Sequence, residues 1–258
     1  MSGRKNVKRG HWQILLAAVL FLLALGLTLY PVVSNWYIGR HQSRIQTEYR
    51  EVLEQTDSAE IESIRESAAA YNKTITPGAA EEAYSQASIR LATEDYVNQL
   101  NVSGSGIMGY VEIPKIGVDL PIYHGTGADS LDRGTGHLLG SSLPVGGEST
   151  HTIITGHSGM ASQKMFTDLE QLREGDIFYL HVLDETLAYE VREIHTVLPH
   201  DTTYLGIEPG EDLCTLVTCT PTGVNTHRLL VQGRRIPYIP AEETEASAVP
   251  HEENTDSN

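Results

Sequence analysis

The sequence predicts a mainly β domain that follows a membrane anchor and a helical N-terminal region. Three observations predict this order. An uncharged apolar run extends from Ile14 to Leu29, a polar and helical composition occupies residues 34–100, and short strand-like runs begin after Val102. Many short strands divided by Gly and Pro are typical of a β-sandwich or a β-barrel. The 258 residues leave room for one good-sized domain with attachments.

Residues 1–11 are predicted to form a basic cytoplasmic tail, and residues 12–33 a transmembrane anchor. The first segment holds four basic residues and no acidic one. The apolar run, extended to Val33, has about 20 residues, enough for a helix to cross about 30 Å of hydrocarbon. Because basic flanks stay in the cytoplasm, the rest of the chain is expected outside the cell. A cleaved signal peptide is the alternative, but the long run and the lack of a nearby small-residue cleavage site favour an anchor.

Residues 34–101 are predicted to form a helical stalk. Residues 41–72 place apolar side chains at helical spacing, with a break near Asp57-Ser58. Residues 81–100 are again helical in composition, and Pro77-Gly78 marks a turn between the two segments. In its simplest interpretation, the stalk is a spacer that lifts a domain off the membrane.

Residues 102–236 are predicted to form the β-domain. Residues 166–173 are expected to form one helical turn, ended by Gly175. The strand candidates are Met108–Ile113, Val118–Tyr123, His151–Thr155, Ile177–Val182, Leu187–His195, Leu213–Thr218 and Arg228–Gly233.

The chain is acidic, with a net charge of −16. This charge argues against a nucleic-acid partner, because the phosphates would be repelled. The last segment, residues 237–258, has six acids from position 241 on and neither Lys nor Arg there. With almost no large apolar residue, this segment is predicted to be a disordered tail.

Cys219 stands at the end of a predicted strand, where a thiol is held rigidly at the rim of a loop. Residues 213–218 are rich in Thr, Leu and Val, and Pro221 and Gly223 end the strand. Arg228, nine residues further on, opens the returning strand and can lie beside the thiol. A thiol, a base and a cation that stabilises an oxyanion are the groups that acyl transfer needs.

His157 supplies the candidate base. Residues 152–155 form a short β-branched run, and the loop that carries His157 has a glycine on either side. His157 and Cys219 are 62 positions apart, so only folding can bring them together. His227 adjoins Arg228, but an alternating strand would aim it at the opposite face, and it is interpreted as structural.

The sequence around these three residues resembles the motifs of sortases. Residues 215–219, Thr-Leu-Val-Thr-Cys, resemble their TLxTC signature, residues 155–159, Thr-Gly-His-Ser-Gly, resemble their His motif, and Arg228 stands at their Arg position. Residues 109–116 and 219–228 are similar to class C, pilus-assembling sortases. The resemblance covers roughly Val102 to Arg235 and keeps the order and spacing of all three motifs.

The resemblance implies an eight-stranded β-barrel and a cysteine transpeptidase without cofactor or metal. Cys219 would attack the Thr carbonyl of an LPxTG-like sorting motif, and Arg228 would stabilise the oxyanion. His157 would give a proton to the leaving amine and take one from the attacking amine. The implied acceptor is a Lys amine of a pilin. The expected partners are pilin subunits or other LPxTG-bearing proteins at a Gram-positive-type cell surface.

Two alternatives stay open. A cell-wall-anchoring sortase would share the first step and use a peptidoglycan amine as acceptor. A membrane-tethered β-domain with a silent site would be an adhesin or a scaffold, although all three residue types are present at matching positions.

The N-terminal region departs from the class C pattern at one point. Class C sortases carry a lid with an Asp-Pro-aromatic motif, and this chain contains no Asp-Pro. The nearest candidate is Thr76-Pro77-Gly78, which has neither acid nor aromatic residue. The sequence therefore predicts either an atypical lid or none.

Two structural interpretations compete with catalysis. A Cys214–Cys219 disulfide is disfavoured, because five strand residues span about 16 Å whereas a disulfide needs Cα atoms within about 7 Å. Cys214 is interpreted as a small buried residue. A zinc site is not predicted, because the histidines at 124, 137, 151 and 157 lack the ligand spacing of zinc hydrolases.

Overall fold

The N-terminal part of the chain is helical. A computed structural model describes residues 4–85, 93–159 and 164–240. Within these residues the α-helices are α1 (Arg4–Gln55), α2 (Ser58–Asn72), α3 (Ala79–Ser85), α4 (Glu94–Asn98) and α5 (Ala128–Leu131).

The break between α1 and α2 falls where the sequence predicted it. Asp57 has an extended backbone, and its carboxylate accepts a hydrogen bond from the backbone N–H of Ala59 at 2.7 Å. An aspartate in this position satisfies one of the backbone donors that a helix leaves free at its start. A new helix therefore begins at Ser58.

Eight strands close into one barrel, as the resemblance implied. In spatial order the barrel runs β1-β2-β3-β4-β7-β8-β6-β5. The strands are β1 (Ile107–Ile113), β2 (Val118–His124), β3 (Thr135–His137), β4 (Thr150–Thr155), β5 (Ile177–Val182), β6 (Glu185–Val197), β7 (Asp212–Thr220) and β8 (His227–Ile236).

The sequence pattern did not predict β3. This strand has three residues, and it pairs in parallel with β2 and antiparallel with β4. Its central residue, Gly136, lies so close to the backbone that an added Cβ would stand 2.2 Å from the carbonyl oxygen of Gly125. Neither this close approach nor the partner strands can be deduced from three residues. The helical turn expected over residues 166–173 is a short 3-10 segment, Leu169–Gln171.

The helical region is part of the folded domain rather than a free spacer. Ala68 of α2, Tyr96 of α4 and Leu100 are fully buried in the same apolar cluster as the barrel interior. At the end of α2, the Asn72 side chain pairs with the backbone of Leu143. Its amide oxygen accepts from Leu143 N at 2.7 Å, and its amide nitrogen donates to Leu143 O at 3.2 Å.

A second apolar cluster lies on the outside of the barrel, and we call it the outer cluster. Side chains alternate along a strand, so that Ile154 and Leu216 face the interior while Ile153 and Val217 face outward. The members of the outer cluster are Ala80, Ala83, Leu138, Ile153, Val197, Leu205, Val217 and Leu230. Helix α3 thus packs against the outer face of β4, β7 and β8.

Close packing of α3 depends on a glycine. Gly140 has a φ of +94°, which favours glycine, and an added Cβ would stand 2.6 Å from the carbonyl oxygen of Ala79 and 3.3 Å from the Cβ of Ala83. A side chain at position 140 would therefore collide with the first turns of α3.

The anchor predicted over residues 12–33 is not confirmed. Helix α1 passes through this segment, but across residues 4–85, 93–159 and 164–240 no helix combines the length and the apolar character that crossing a membrane requires. The predicted tail, residues 237–258, lies outside the described residues from position 241 on.

Candidate active site

The parallel pairing of β4 and β7 brings His157 and Cys219 side by side. Thr155 and Val217 are the last register partners of this pair, and the predicted site residue stands two residues further on in each segment, in the loop after β4 and within β7. Every residue of β4 pairs with the residue 62 positions later in β7, and His157 and Cys219 have the same separation in sequence. The pairing of the two strands therefore determines where the imidazole and the thiol lie relative to each other.

Arg228 reaches the same place from the other side of β7. In the antiparallel pair of β7 and β8, Cys219 is the register partner of Arg228. The guanidinium group is held by backbone carbonyls, since its Nη1 donates to His227 O at 3.0 Å and to Asn225 O at 3.3 Å. The three residues that the sequence singled out therefore line one cleft.

Two hydroxyl groups tie the His157 loop to β7. Thr218 Oγ1 donates to Gly156 O at 2.8 Å, and Ser158 Oγ donates to the carbonyl oxygen of Cys219 at 2.6 Å. These bonds join the residues flanking His157 to Cys219 and its neighbour. Sequence reasoning gave the Ser and Thr of the motifs no separate role, and the structure shows them as the cross-links.

The other side of the His157 loop rests on the core. Phe166 is fully buried, and its backbone N–H donates to His157 O at 2.9 Å. An added Cβ at Gly156 would stand 2.7 Å from the Phe166 ring. A glycine before His157 is therefore needed for the ring to pack beneath the loop, which accounts for one of the two glycines of the motif.

The cleft has a volume of about 300 Å³ and lies on the outer face of the barrel. Its floor belongs to the outer cluster, through Leu138 and Val217. Its lining residues are Tyr84, Thr126, Leu131, Leu138, Thr155, Gly156, His157, Pro199, Val217, Thr218, Cys219 and Arg228. A mostly apolar cleft with few polar groups is typical of a site that binds an extended peptide or a small molecule.

The two cysteines differ in burial and are not bonded to each other. Both are free thiols, and Cys214 is fully buried whereas Cys219 is partly exposed. Burial raises the pKa of the Cys214 thiol well above its usual range, with the nearby Asp212 carboxylate acting in the same direction. Cys214 is thus an inert core residue, and the accessible thiol is the one in the cleft.

Tyr84 is a cleft residue that sequence reasoning missed. It stands near the end of α3, and its hydroxyl is buried with Arg228 as its charged neighbour. Burial raises the pKa of Tyr84 above its usual value, and the positive charge of Arg228 offsets part of this effect. Helix α3 therefore contributes an aromatic side chain to the lining of the cleft. The only signal in the sequence was an aromatic residue in the segment before the barrel.

Asp132 is the second residue that was missed. It follows α5, and its Oδ1 lies 3.8 Å from Nε2 of His157. Its side chain is 65% exposed, whereas that of His157 is 37% exposed. The carboxylate therefore lies on the solvent side of the imidazole.

Two further histidines make hydrogen-bond contacts away from Cys219. His151 is buried, with Nδ1 2.7 Å from Gly206 O and Nε2 2.7 Å from Thr215 Oγ1. His227, interpreted as structural, is register partner of Thr220 and has Nδ1 3.0 Å from Thr226 Oγ1.

Comparison with known proteins identifies the same part of the chain. Residues 111–236 match the family model described as the Sortase domain. The crystal structure of Streptococcus pneumoniae sortase C is similar with 46% sequence identity and a TM-score of 0.71, over 76% of this chain and 98% of that chain. The pilus-related sortase C of Group B Streptococcus is similar with 40% sequence identity and a TM-score of 0.68, over 75% of this chain and 97% of that chain. Sortase A of Streptococcus agalactiae serotype III (strain NEM316) is 24% identical over 221 residues, which are 84% of this chain and 81% of the relative.

Proposed function

Because this chain belongs to the sortase family of cysteine transpeptidases, we propose that it is a class C enzyme that joins pilin subunits. It would cleave an LPxTG-like sorting motif between Thr and Gly and transfer the acyl group to a Lys amine of a pilin. The observation that carries the proposal is the register of β4, β7 and β8, which delivers His157, Cys219 and Arg228 to one cleft.

In the first step, the Cys219 thiolate attacks the Thr carbonyl carbon of the sorting motif. Arg228 stabilises the oxyanion, for which a permanently charged, planar guanidinium is suited. His157, protonated, gives its proton to the leaving Gly amine, and a thioester forms on Cys219. A Lys amine then attacks the thioester, and His157 takes a proton from it.

The choice of pilin as acceptor is supported by the structural neighbours. One of the similar solved structures is a pilus-related sortase. The alternative is a cell-wall-anchoring sortase, which shares the thioester and differs in the amine that resolves it. We propose the outside of a Gram-positive-type cell as the place of action, and the anchor over residues 12–33 stays a prediction from the sequence.

We also propose that α3 is the atypical lid that the sequence left open. It lies beyond Thr76-Pro77-Gly78, where the sequence placed the nearest candidate. Its support is the packing of Ala80 and Ala83 on the outer cluster and the position of Tyr84 in the cleft. In this proposal, the ring of Tyr84 does the work of the aromatic residue in an Asp-Pro-aromatic motif.

The test is an intact-mass measurement on the purified chain after incubation with an LPxTG-containing peptide. The expected product is an adduct equal to the peptide up to its Thr, present with the wild type and absent with Cys219→Ala. Adding a Lys-bearing pilin fragment or a peptidoglycan-derived amine then shows which acceptor removes the adduct. Cleavage that persists with Cys219→Ala would rule out the thioester, and preferred transfer to the peptidoglycan amine would rule out pilin joining.

A further inference from the structure

The acidic side chain of Asp132 lies beside the candidate base and directly follows Leu131, which lines the cleft. Asp132 Oδ1 is 3.8 Å from His157 Nε2, and the carboxylate is 65% exposed. Among the described residues that line the cleft, the permanent charge is that of Arg228, which is positive. The charges on the two sides of the thiol therefore differ in sign. The positive charge of Arg228 lies on the β8 side, and the negative charge of Asp132 lies on the side of the imidazole.

The position of Asp132 is fixed by its short helix. Its backbone N–H donates to Ala128 O at 2.8 Å, and the preceding turn is fastened by Ser130 Oγ, which donates to His124 O at 2.8 Å. Leu131 lines the cleft itself. The backbone of Asp132 is thus held by hydrogen bonds within its own turn, and that turn is fastened to the end of β2.

A lysine acceptor brings a positive charge to this cleft. Its ε-ammonium must approach the thioester on Cys219 from a side where His157 can take a proton. An approach along Arg228 would place two cations together, whereas an approach past His157 meets Asp132. Fixed charges of opposite sign raise the local concentration of a charged ligand at a cleft.

On the basis of the proposed function, we propose that Asp132 is the acceptor-binding residue, which receives the ε-ammonium of the incoming lysine beside His157. The residue selects a charged primary amine over water and over uncharged nucleophiles. It touches the acceptor in the second half of the reaction.

The transfer step balances with these residues. The ammonium held by Asp132 releases one proton to solvent and becomes the free amine. The nitrogen lone pair attacks the thioester carbonyl carbon, the C–N bond forms, and the C–S bond breaks as Cys219 leaves as thiolate. The surplus proton on the nitrogen passes to neutral His157, which restores the imidazolium for the next cycle.

The test compares a charged with an uncharged acceptor on the same thioester. Nα-acetyl-lysine amide carries the ammonium, and hydroxylamine is mainly uncharged at neutral pH. Both are supplied together to the full chain with an LPxTG peptide, and the two products are quantified by mass spectrometry. For Asp132→Asn we expect the ratio of lysine product to hydroxylamine product to fall about threefold to fivefold, the scale of a partly exposed ion pair.

Two variants and the salt concentration control the measurement. Asp129→Asn removes an equal charge from an exposed position of α5 and is expected to keep the wild-type ratio. Asp132→Glu keeps the negative charge and is expected to retain most of the wild-type preference for the lysine acceptor. In about 1 M salt, where the Debye length is about 3 Å, the wild type and Asp132→Asn should converge.

The outcomes separate this inference from the proposed function. If both acceptors give product and Asp132→Asn keeps the wild-type ratio, Asp132 does not bind the acceptor. If Asp132→Asn slows thioester formation and lowers both products equally, it acts by positioning His157, and the inference is overturned. If the wild type forms no thioester, the proposed function itself fails.

Discussion

The packing of α3 on the barrel can be loosened at a position outside the cleft. Gly140→Ala places a methyl group 2.6 Å from the carbonyl oxygen of Ala79 and 3.3 Å from the Cβ of Ala83. Neither residue lies in the cleft, and the direct collision is with α3, so the change acts on Cys219 chiefly by displacing α3. The perturbation therefore tests whether α3 acts as the lid.

The expected size follows from two competing terms. Burial of the Ala80 and Ala83 methyl groups stabilises the docked helix by about 0.8 kcal/mol each, to which part of the Tyr84 ring is added. Overpacking by one methyl group costs about 1–3 kcal/mol. The free-energy cost of overpacking is thus about as large as the free energy that docks α3 on the barrel. Since every 1.4 kcal/mol is a factor of about ten in population, the open state should rise fivefold or more.

The assay is the rate at which a small thiol reagent labels the protein. Cys214 is fully buried, so that labelling reports Cys219. We expect Gly140→Ala to label several-fold faster than the wild type. Gly175→Ala is the matched control, because Gly175 has a φ of +87° and an added Cβ there meets nothing within 4 Å. Equal rates for Gly140→Ala and Gly175→Ala at similar loss of stability would refute the lid.

Two further predictions concern stability. The pKa of buried His137 is lowered to about 4, chiefly by burial. The unfolded chain takes up this proton below about pH 6.5, so the free energy of unfolding should fall between about pH 6.5 and 4, by about 3 kcal/mol from this residue. Urea titrations across this range should give a flatter curve for His137→Gln, and parallel curves would disprove the assignment. Asn72→Ala removes both bonds to Leu143 and should cost about 1–3 kcal/mol in the same assay. Exposed Asn98→Ala is the control, expected within about 0.5 kcal/mol of wild type, and equal effects would show that the pair with Leu143 contributes nothing.

The sequence was informative wherever a local pattern carried the signal. Pro, Gly and β-branched runs marked the ends of β4 and β7, and the candidate thiol and imidazole stand just there. Asp57 marked the start of α2, because capping depends on residues next to one another. These features were predictable because their physical causes act over a few positions.

The features that the sequence did not predict depend on contacts between distant parts of the chain. Strand β3 is held by its partners, and three residues with a central glycine show no alternation. Tyr84 reaches the cleft only because α3 docks on the outer cluster, and Asp132 reaches His157 because β3 pairs with both β2 and β4. Such contacts leave no periodic trace in the sequence.

The alternation of β7 has a consequence for oxidative damage. Cys214 faces the barrel interior and Cys219 the outer face, and five residues of strand separate them by about 16 Å. If a peroxide converts Cys219 to a sulfenic acid, the chain's other thiol cannot reach it to form a disulfide. Recovery must then come from a reductant or a thiol of another molecule, and repeated oxidant exposure drives the residue to the irreversible sulfinic state. Small thiols should therefore reverse inactivation by peroxide only while Cys219 is a sulfenic acid, before it becomes a sulfinic acid.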